Sequence, residues 1–144
     1  MGKKRIIKTE GSKDGEQKAA PVAAAKSKRH VLKGTIYVAS SYNNTIVSVT
    51  DTKGEVFAWA TAGSMGFKGA RKSTPYAATL VAKEATERAK KSGLQEARII
   101  VRGIGPGRDA AIRGIVSTGI TVTSIIDDTP QPHNGVRPPK PRRV

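Results

Sequence analysis

Two periods succeed one another along this chain, and the switch between them limits the fold more than any other feature. Gly34–Ser40 alternates, with Ile36 and Val38 on one side and Thr35, Tyr37 and Ala39 on the other, which is strand periodicity. Asn43-Asn44, residues that tolerate left-handed backbone, precede the β-branched run Thr45–Thr50, so the two runs predict a hairpin. Asp51-Thr52-Lys53-Gly54 makes a second turn before Val56–Thr61. Three short strands with tight turns predict an antiparallel meander.

From Thr74 the period becomes helical. Thr74-Pro75 pairs an N-cap residue with proline at the first helical position. Ala77, Val81, Ala85 and Ala89 then recur along one face, and Ser92-Gly93 supplies the stop. Ala97–Arg102 is a fourth strand. Asp109 is expected to cap a short second helix whose apolar stripe is Ile112, Ile115 and Val116 and which closes at Gly119. Ile120–Ile126 is the fifth strand. The order β-β-β-α-β-α-β predicts an α/β domain, a mixed five-stranded sheet with its two helices packed on the faces.

Charge divides the chain into three. Among 144 residues, 26 Lys+Arg stand against 11 Asp+Glu, a formal net charge of +15. Residues 1–33 carry ten basic and three acidic residues, with short apolar stretches that have no period, so this extension is expected to be disordered when free. Residues 34–126 form the domain, and residues 127–144 hold five prolines, which favour an extended, stiffened, basic arm. The plain alternative for both tails is a solubilising linker. A balance this basic predicts a polyanionic partner, nucleic acid first. The chain has no cysteine, which excludes disulfides, thiolate metal sites and cysteine nucleophiles, and its two histidines, His30 and His133, exclude a multi-histidine metal centre. No apolar run approaches the ~20 residues of a membrane span, and no apolar block follows the basic start, so the chain is expected to be cytoplasmic, with no membrane partner.

Two stretches approach enzyme signatures. Gly103-Ile104-Gly105-Pro106-Gly107-Arg108 follows a strand and opens a helix, but its third glycine comes one position early and Pro106 lacks a backbone donor. It reads either as a phosphate-binding turn or as a tight turn and nothing more, and a small nucleotide-dependent enzyme is the alternative it keeps open. Gly66-Phe67-Lys68-Gly69-Ala70-Arg71-Lys72-Ser73 nearly spells a phosphate loop, yet Arg71 stands where the second glycine belongs. The cations and hydroxyls beside Thr74-Pro75 suit a phosphate backbone better than a triphosphate. The first strand carries no acid, Asp51 and Glu55 sit on a turn, and Glu84 and Glu87 lie on a helix face, so no cluster of carboxylates is expected to hold nuclease metals. The aromatic residues Tyr37, Tyr42, Phe57, Trp59, Phe67 and Tyr76 are scattered. Phe57 and Trp59 are read as core, and recognition is expected to rest on charge and RNA shape rather than base stacking.

Four motifs in order complete the reading: Ser41-Tyr42-Asn43-Asn44-Thr45; Gly66-Phe67-Lys68-Gly69 with Arg71-Lys72-Ser73-Thr74-Pro75-Tyr76-Ala77-Ala78; Gly105-Pro106-Gly107-Arg108; and Thr129-Pro130 with Pro132-His133-Asn134-Gly135 and Arg137-Pro138-Pro139-Lys140. From about Lys26 to Val144 the chain resembles the eleventh small-subunit ribosomal protein family, bacterial type. The resemblance implies a ribonuclease H-like topology without enzymatic activity, no cofactor and no metal. It implies a place on the platform of the small subunit, bridging several helices of 16S rRNA, with the C-terminal arm near the mRNA exit and the Shine–Dalgarno cleft. Implied neighbours are the seventh and eighteenth small-subunit proteins, with initiation factor three and mRNA as further contacts. Carried over onto this sequence, the RNA-binding residues are Asn43, Asn44, Lys68, Arg71, Lys72, Thr74, Arg108 and Arg113 on the domain and Arg137, Lys140, Arg142 and Arg143 on the arm. Lys28 and Arg29 are weaker candidates, and His133 either contacts RNA or simply shapes its turn. Three departures from the pattern are residues 1–25, longer and more alanine-rich than the family's usual start, Pro141, within an otherwise basic ending, and Asp128, which is expected to pair with a neighbour.

Overall fold

The computed structural model describes residues 30–141, so most of the predicted extension, with Lys28 and Arg29, and the arm residues Arg142 and Arg143 lie outside the described residues. The elements are β1 (Lys33–Ser40), β2 (Thr45–Asp51), β3 (Val56–Thr61), α1 (Pro75–Lys91), β4 (Glu96–Arg102), α2 (Arg108–Ser117) and β5 (Thr121–Asp127). They follow the expected order, with strand ends displaced by one residue. The five strands stand in the order β3-β2-β1-β4-β5. β1 and β2 pair antiparallel, as do β2 and β3, whereas β4 pairs parallel with both β1 and β5.

That order puts both helices on one face rather than one on each. The crossovers β3-α1-β4 and β4-α2-β5 step across the sheet in the same direction, and a right-handed connection then delivers both helices to the same side. α1 packs over β2 and β3, and α2 lies against α1 and β1. The described residues therefore form two layers, and among them no helix covers the second face of the sheet.

The core lies between the layers. Ile36 and Val38 of β1, Val47 and Val49 of β2, and Ile99 and Val101 of β4 are fully buried or nearly so, facing Ala77, Val81, Ala85 and Ala89 of α1 as their spacing predicts. Half of the buried apolar residues among those described are alanines, including Ala58, Ala60 and Ala62 around β3 and five on α1. Small side chains also let the two helices come close. A methyl added at Gly114 would lie 2.9 Å from the Thr79 carbonyl oxygen and 3.0 Å from Ala82 Cβ, so α2 touches α1 backbone to backbone at this point. The Thr79 hydroxyl, which shares its one proton between the Pro75 carbonyl at 3.1 Å and the Ala110 carbonyl at 3.3 Å, spans the same contact.

Four local expectations are corrected. Val116 is 53% exposed, because α2 turns its small edge of Ala111, Gly114 and Ile115 onto the core and leaves Val116 roughly a quarter-turn away. Trp59 is 54% exposed: Ala58 and Ala60 take the helix-facing positions of β3, and alternation sends the residue between them to the uncovered face. Phe57 is half-buried and packs against the core as expected. Asp109 sits in the first turn of α2 and does not cap it, since the N-cap is Gly107. Asn43-Asn44 does not use left-handed backbone; the only described non-glycine with positive φ is Asn134, at 57°. The β1–β2 loop is closed instead by Ser41, whose hydroxyl oxygen accepts from Asn44 N at 3.1 Å while its backbone N–H donates to the Asn44 carbonyl at 2.9 Å.

Candidate nucleic-acid interface

β1, β3, β4 and β5 all run the same way, so their C-terminal ends share one rim of the sheet, and β2 begins there. The loops 41–44, 62–74 and 103–107, the residues after Asp127 and the N-termini of α1 and α2 consequently meet at that rim. This geometry gathers Asn43, Asn44, Lys68, Arg71, Lys72, Thr74 and Arg108 from three separate stretches of sequence. Arg113 is exposed on α2, more than a turn in from its start, and Arg137 and Lys140 are exposed along residues 128–141, which contain no helix or strand.

The basic loop is more ordered than a flexible phosphate-seeking loop. Gly69–Ser73 forms a 3-10 turn, with Arg71 and Lys72 in its last turn, running straight into α1. Gly66 and Gly69, with φ of 85° and 58°, supply the left-handed backbone that the bends before this turn demand. Thr74 then caps α1: its hydroxyl oxygen accepts from Ala77 N at 3.3 Å while its O–H donates to the Arg71 carbonyl at 2.8 Å. One side chain thus fixes both the helix start and the cationic turn. An open cavity of about 350 Å³ lies alongside, lined by Met65, Gly66, Phe67, Lys68 and Arg71.

The glycine turn after β4 is built for close packing. A Cβ at Gly105 would collide with the Ser41 carbonyl oxygen, and one at Gly107 would lie 2.6 Å from Thr45 Oγ1 and 2.7 Å from Ala78 Cβ. Gly105 N donates to the Ser40 carbonyl at 3.0 Å and Gly103 N to Thr129 Oγ1 at 3.2 Å, so two of the N–H groups that a dinucleotide turn would aim at phosphate are already engaged. The turn seats the β1–β2 loop and the start of α1 against α2. Ser40 Oγ and Thr45 Oγ1 are buried beneath it without a hydrogen-bond partner among the described residues.

Arg108 is placed differently from the other cations. Its guanidinium donates to the Gly103 carbonyl at 2.9 Å and to Thr129 Oγ1 at 3.3 Å, and forms an ion pair with Asp127. Asp127 also accepts from Thr129, from the hydroxyl at 2.6 Å and from the backbone N–H at 3.1 Å. The Arg108 hydrogen bond, followed by those from Thr129, lowers the Asp127 carboxyl from 3.8 to about 2. Asp128 is held by Arg102, whose Nε donates at 2.8 Å. Both acids at the root of the arm are therefore neutralised by arginines of the domain, as expected of Asp128, and the exposed Arg137 and Lys140 extend from a fixed anchor.

Two of the aromatic residues that the sequence shows as scattered come to the rim. Tyr42 and Tyr76 are 66% and 68% exposed, one beside Asn43 and the other at the start of α1, where its ring meets Phe67 edge-on with centroids 6.2 Å apart. The available signal was local: each tyrosine stands in a polar turn rather than on an apolar stripe.

A family model for ribosomal protein S11 matches residues 34–143. The chain belongs to the ribosomal protein S11 family. A relative from Aquifex aeolicus (strain VF5), the small ribosomal subunit protein uS11, is 54% identical over 119 residues, covering 83% of this chain and 95% of that protein. The protein of the same name from Christiangramia forsetii is 50% identical over 131 residues, covering 89% of this chain and 98% of its own length. The small ribosomal subunit protein uS11c of Tupiella akineta is 53% identical over 112 residues, or 78% and 86% of the two chains. The family match spans the whole rim, from the loop after β1 to the arm.

Proposed function

We propose that this chain binds 16S rRNA on the platform of the small ribosomal subunit, bridging several RNA helices, with its arm directed toward the mRNA exit and the Shine–Dalgarno cleft. As a member of the S11 family it is a structural, non-enzymatic protein of the small subunit, active in translation in the cytoplasm. The observation that carries the RNA reading is the convergence of Lys68, Arg71 and Lys72 with two helix N-termini on one rim of the sheet. Side-chain cations and the positive ends of both helix dipoles then act on the same phosphates.

The rim residues divide by role. Lys68, Arg71 and Lys72 contact backbone phosphate, and Arg71 can grip it bidentately. Thr74 fixes the turn that presents these cations, and Asn43 and Asn44, on the neighbouring β1–β2 loop, offer polar contacts of their own. Tyr42 and Tyr76 stack on exposed bases or riboses, which adds a local contact to recognition by charge and shape. Arg108 acts through the arm root, while Arg113, Arg137, Lys140, Arg142 and Arg143 extend the basic track. Protein neighbours are the seventh and eighteenth small-subunit proteins, with initiation factor three and mRNA within reach of the arm.

Affinity purification of the tagged chain from its own cells, followed by sedimentation and crosslinked-RNA sequencing, tests this reading. Co-sedimentation with small subunits and crosslinks to platform helices of 16S rRNA are expected. A free monomer without rRNA would overturn it.

A further inference from the structure

The face of the sheet over which the described residues place no helix has a composition of its own. Strand register places Trp59, Ser48, Tyr37, Ile100 and Ile126 side by side across β3, β2, β1, β4 and β5. This row spans about 19 Å at ~4.8 Å per strand. Beside it run Thr61, Ile46, Ala39 and Arg102. Trp59 and Ile46 are 54% and 40% exposed, and Ser48 leaves a notch between Trp59 and Tyr37.

Charge decides what such a face fits. In a chain of net charge +15, the strand positions of β2 and β3 on this face carry no cation. Lys33, at the start of β1, is paired with Glu96 at 2.9 Å, and Arg102 is paired with Asp128. Arg98 is exposed and has no ion pair among the described residues. Among the described residues, phosphate would find one unpaired cation here and three or more at the rim. An apolar surface with tryptophan, tyrosine and a bordering arginine has instead the make-up of a protein–protein hot spot.

We propose that this open face is the docking surface for another protein of the small subunit. Its occupant is a segment that seats apolar side chains between Trp59 and Tyr37 and sets a carboxylate opposite Arg98. The proposal rests on the small-subunit reading above.

The absence of cysteine gives the test a unique handle. Full-length chain with Ala39→Cys, an exposed position on this face, is labelled at its single thiol with a benzophenone maleimide. It is then assembled into small subunits with rRNA and the other subunit proteins, and irradiated. The expected adduct is one other subunit protein, joined at an apolar segment with an acidic residue close by. Its yield falls by about tenfold or more when Trp59→Ser and Ile46→Ser are added, with the salt dependence of rRNA binding unchanged. If that pair fails to fold by circular dichroism, Arg98→Glu serves in its place and is expected to lower the same adduct. An adduct on rRNA, on residues 1–29, on a second copy, or none at all overturns the proposal, as does a protein adduct indifferent to these substitutions. Failure of the chain to enter subunits overturns the small-subunit reading as well, whereas entry with an RNA adduct overturns this proposal alone.

Discussion

Arg108, the first residue of α2, holds Asp127, the last residue of β5, and between them they decide where the C-terminal arm leaves the domain. Thr129 completes the contact from the first turn of the arm.

This contact makes the arm root sensitive to acid. Because the folded state lowers the Asp127 carboxyl from 3.8 to about 2, the stabilisation is present above pH ~4 and is lost as pH falls through about 2. Carbon-13 NMR of the Asp127 carboxyl should show its titration well below that of an ordinary aspartate. Asp127→Asn should speed amide exchange at Thr129, whose N–H loses its charged acceptor, and leave exchange in β1 unchanged.

For the rim, Arg71→Ala with Lys72→Ala should flatten the dependence of log binding constant on log salt by about 1.5 in slope, from two lost phosphate contacts. Filter binding of a platform fragment of 16S rRNA across a KCl series gives the number. An unchanged slope would remove the 3-10 turn from the interface.

Gly107 tests the packing account of the glycine turn. Gly107→Ala drives a methyl group against Thr45 Oγ1 and Ala78 Cβ and should cost about 1–3 kcal/mol in urea unfolding. A neutral result would mean that this turn is not pressed against the β1–β2 loop and α1.

Thr74→Ala should cost about 1 kcal/mol through the lost cap, and it should also weaken RNA binding because the same hydroxyl ties down the Arg71 carbonyl. Thr74→Ser keeps the hydroxyl and should restore both. Loss of stability with unchanged RNA affinity would separate the cap from the cationic turn.

The strands and α1 were legible because their signals are local. Alternation from Gly34 to Ser40 and the Thr74-Pro75 start need no knowledge of the rest of the chain. The one-sided placement of the helices depends on strand order, which no single segment encodes, and Trp59 was misplaced with it: a large apolar residue on a strand implies core only if both faces are covered. Val116 was misassigned because glycine and alanine, poor markers of an apolar stripe, make the contact with α1. At the rim, the cations were readable from the sequence as motifs. The commitment of Arg108 to Asp127 was not, since the partners are 19 residues apart and meet only when β5 lies beside β4.

The alanine-rich core has a cost that falls outside the domain itself. Methyl groups bring the layers close but withdraw little apolar surface from water compared with leucine or isoleucine. A free copy is therefore expected to have a thin margin, to which binding to RNA would add through mass action. Copies that find no RNA are then expected to spend more time open and to be cleared sooner by proteases. The cell's supply of this protein is thus expected to be trimmed toward its supply of ribosomal RNA by proteolysis of unbound copies, which pulse-chase labelling during a block of rRNA synthesis would reveal as a shortened half-life.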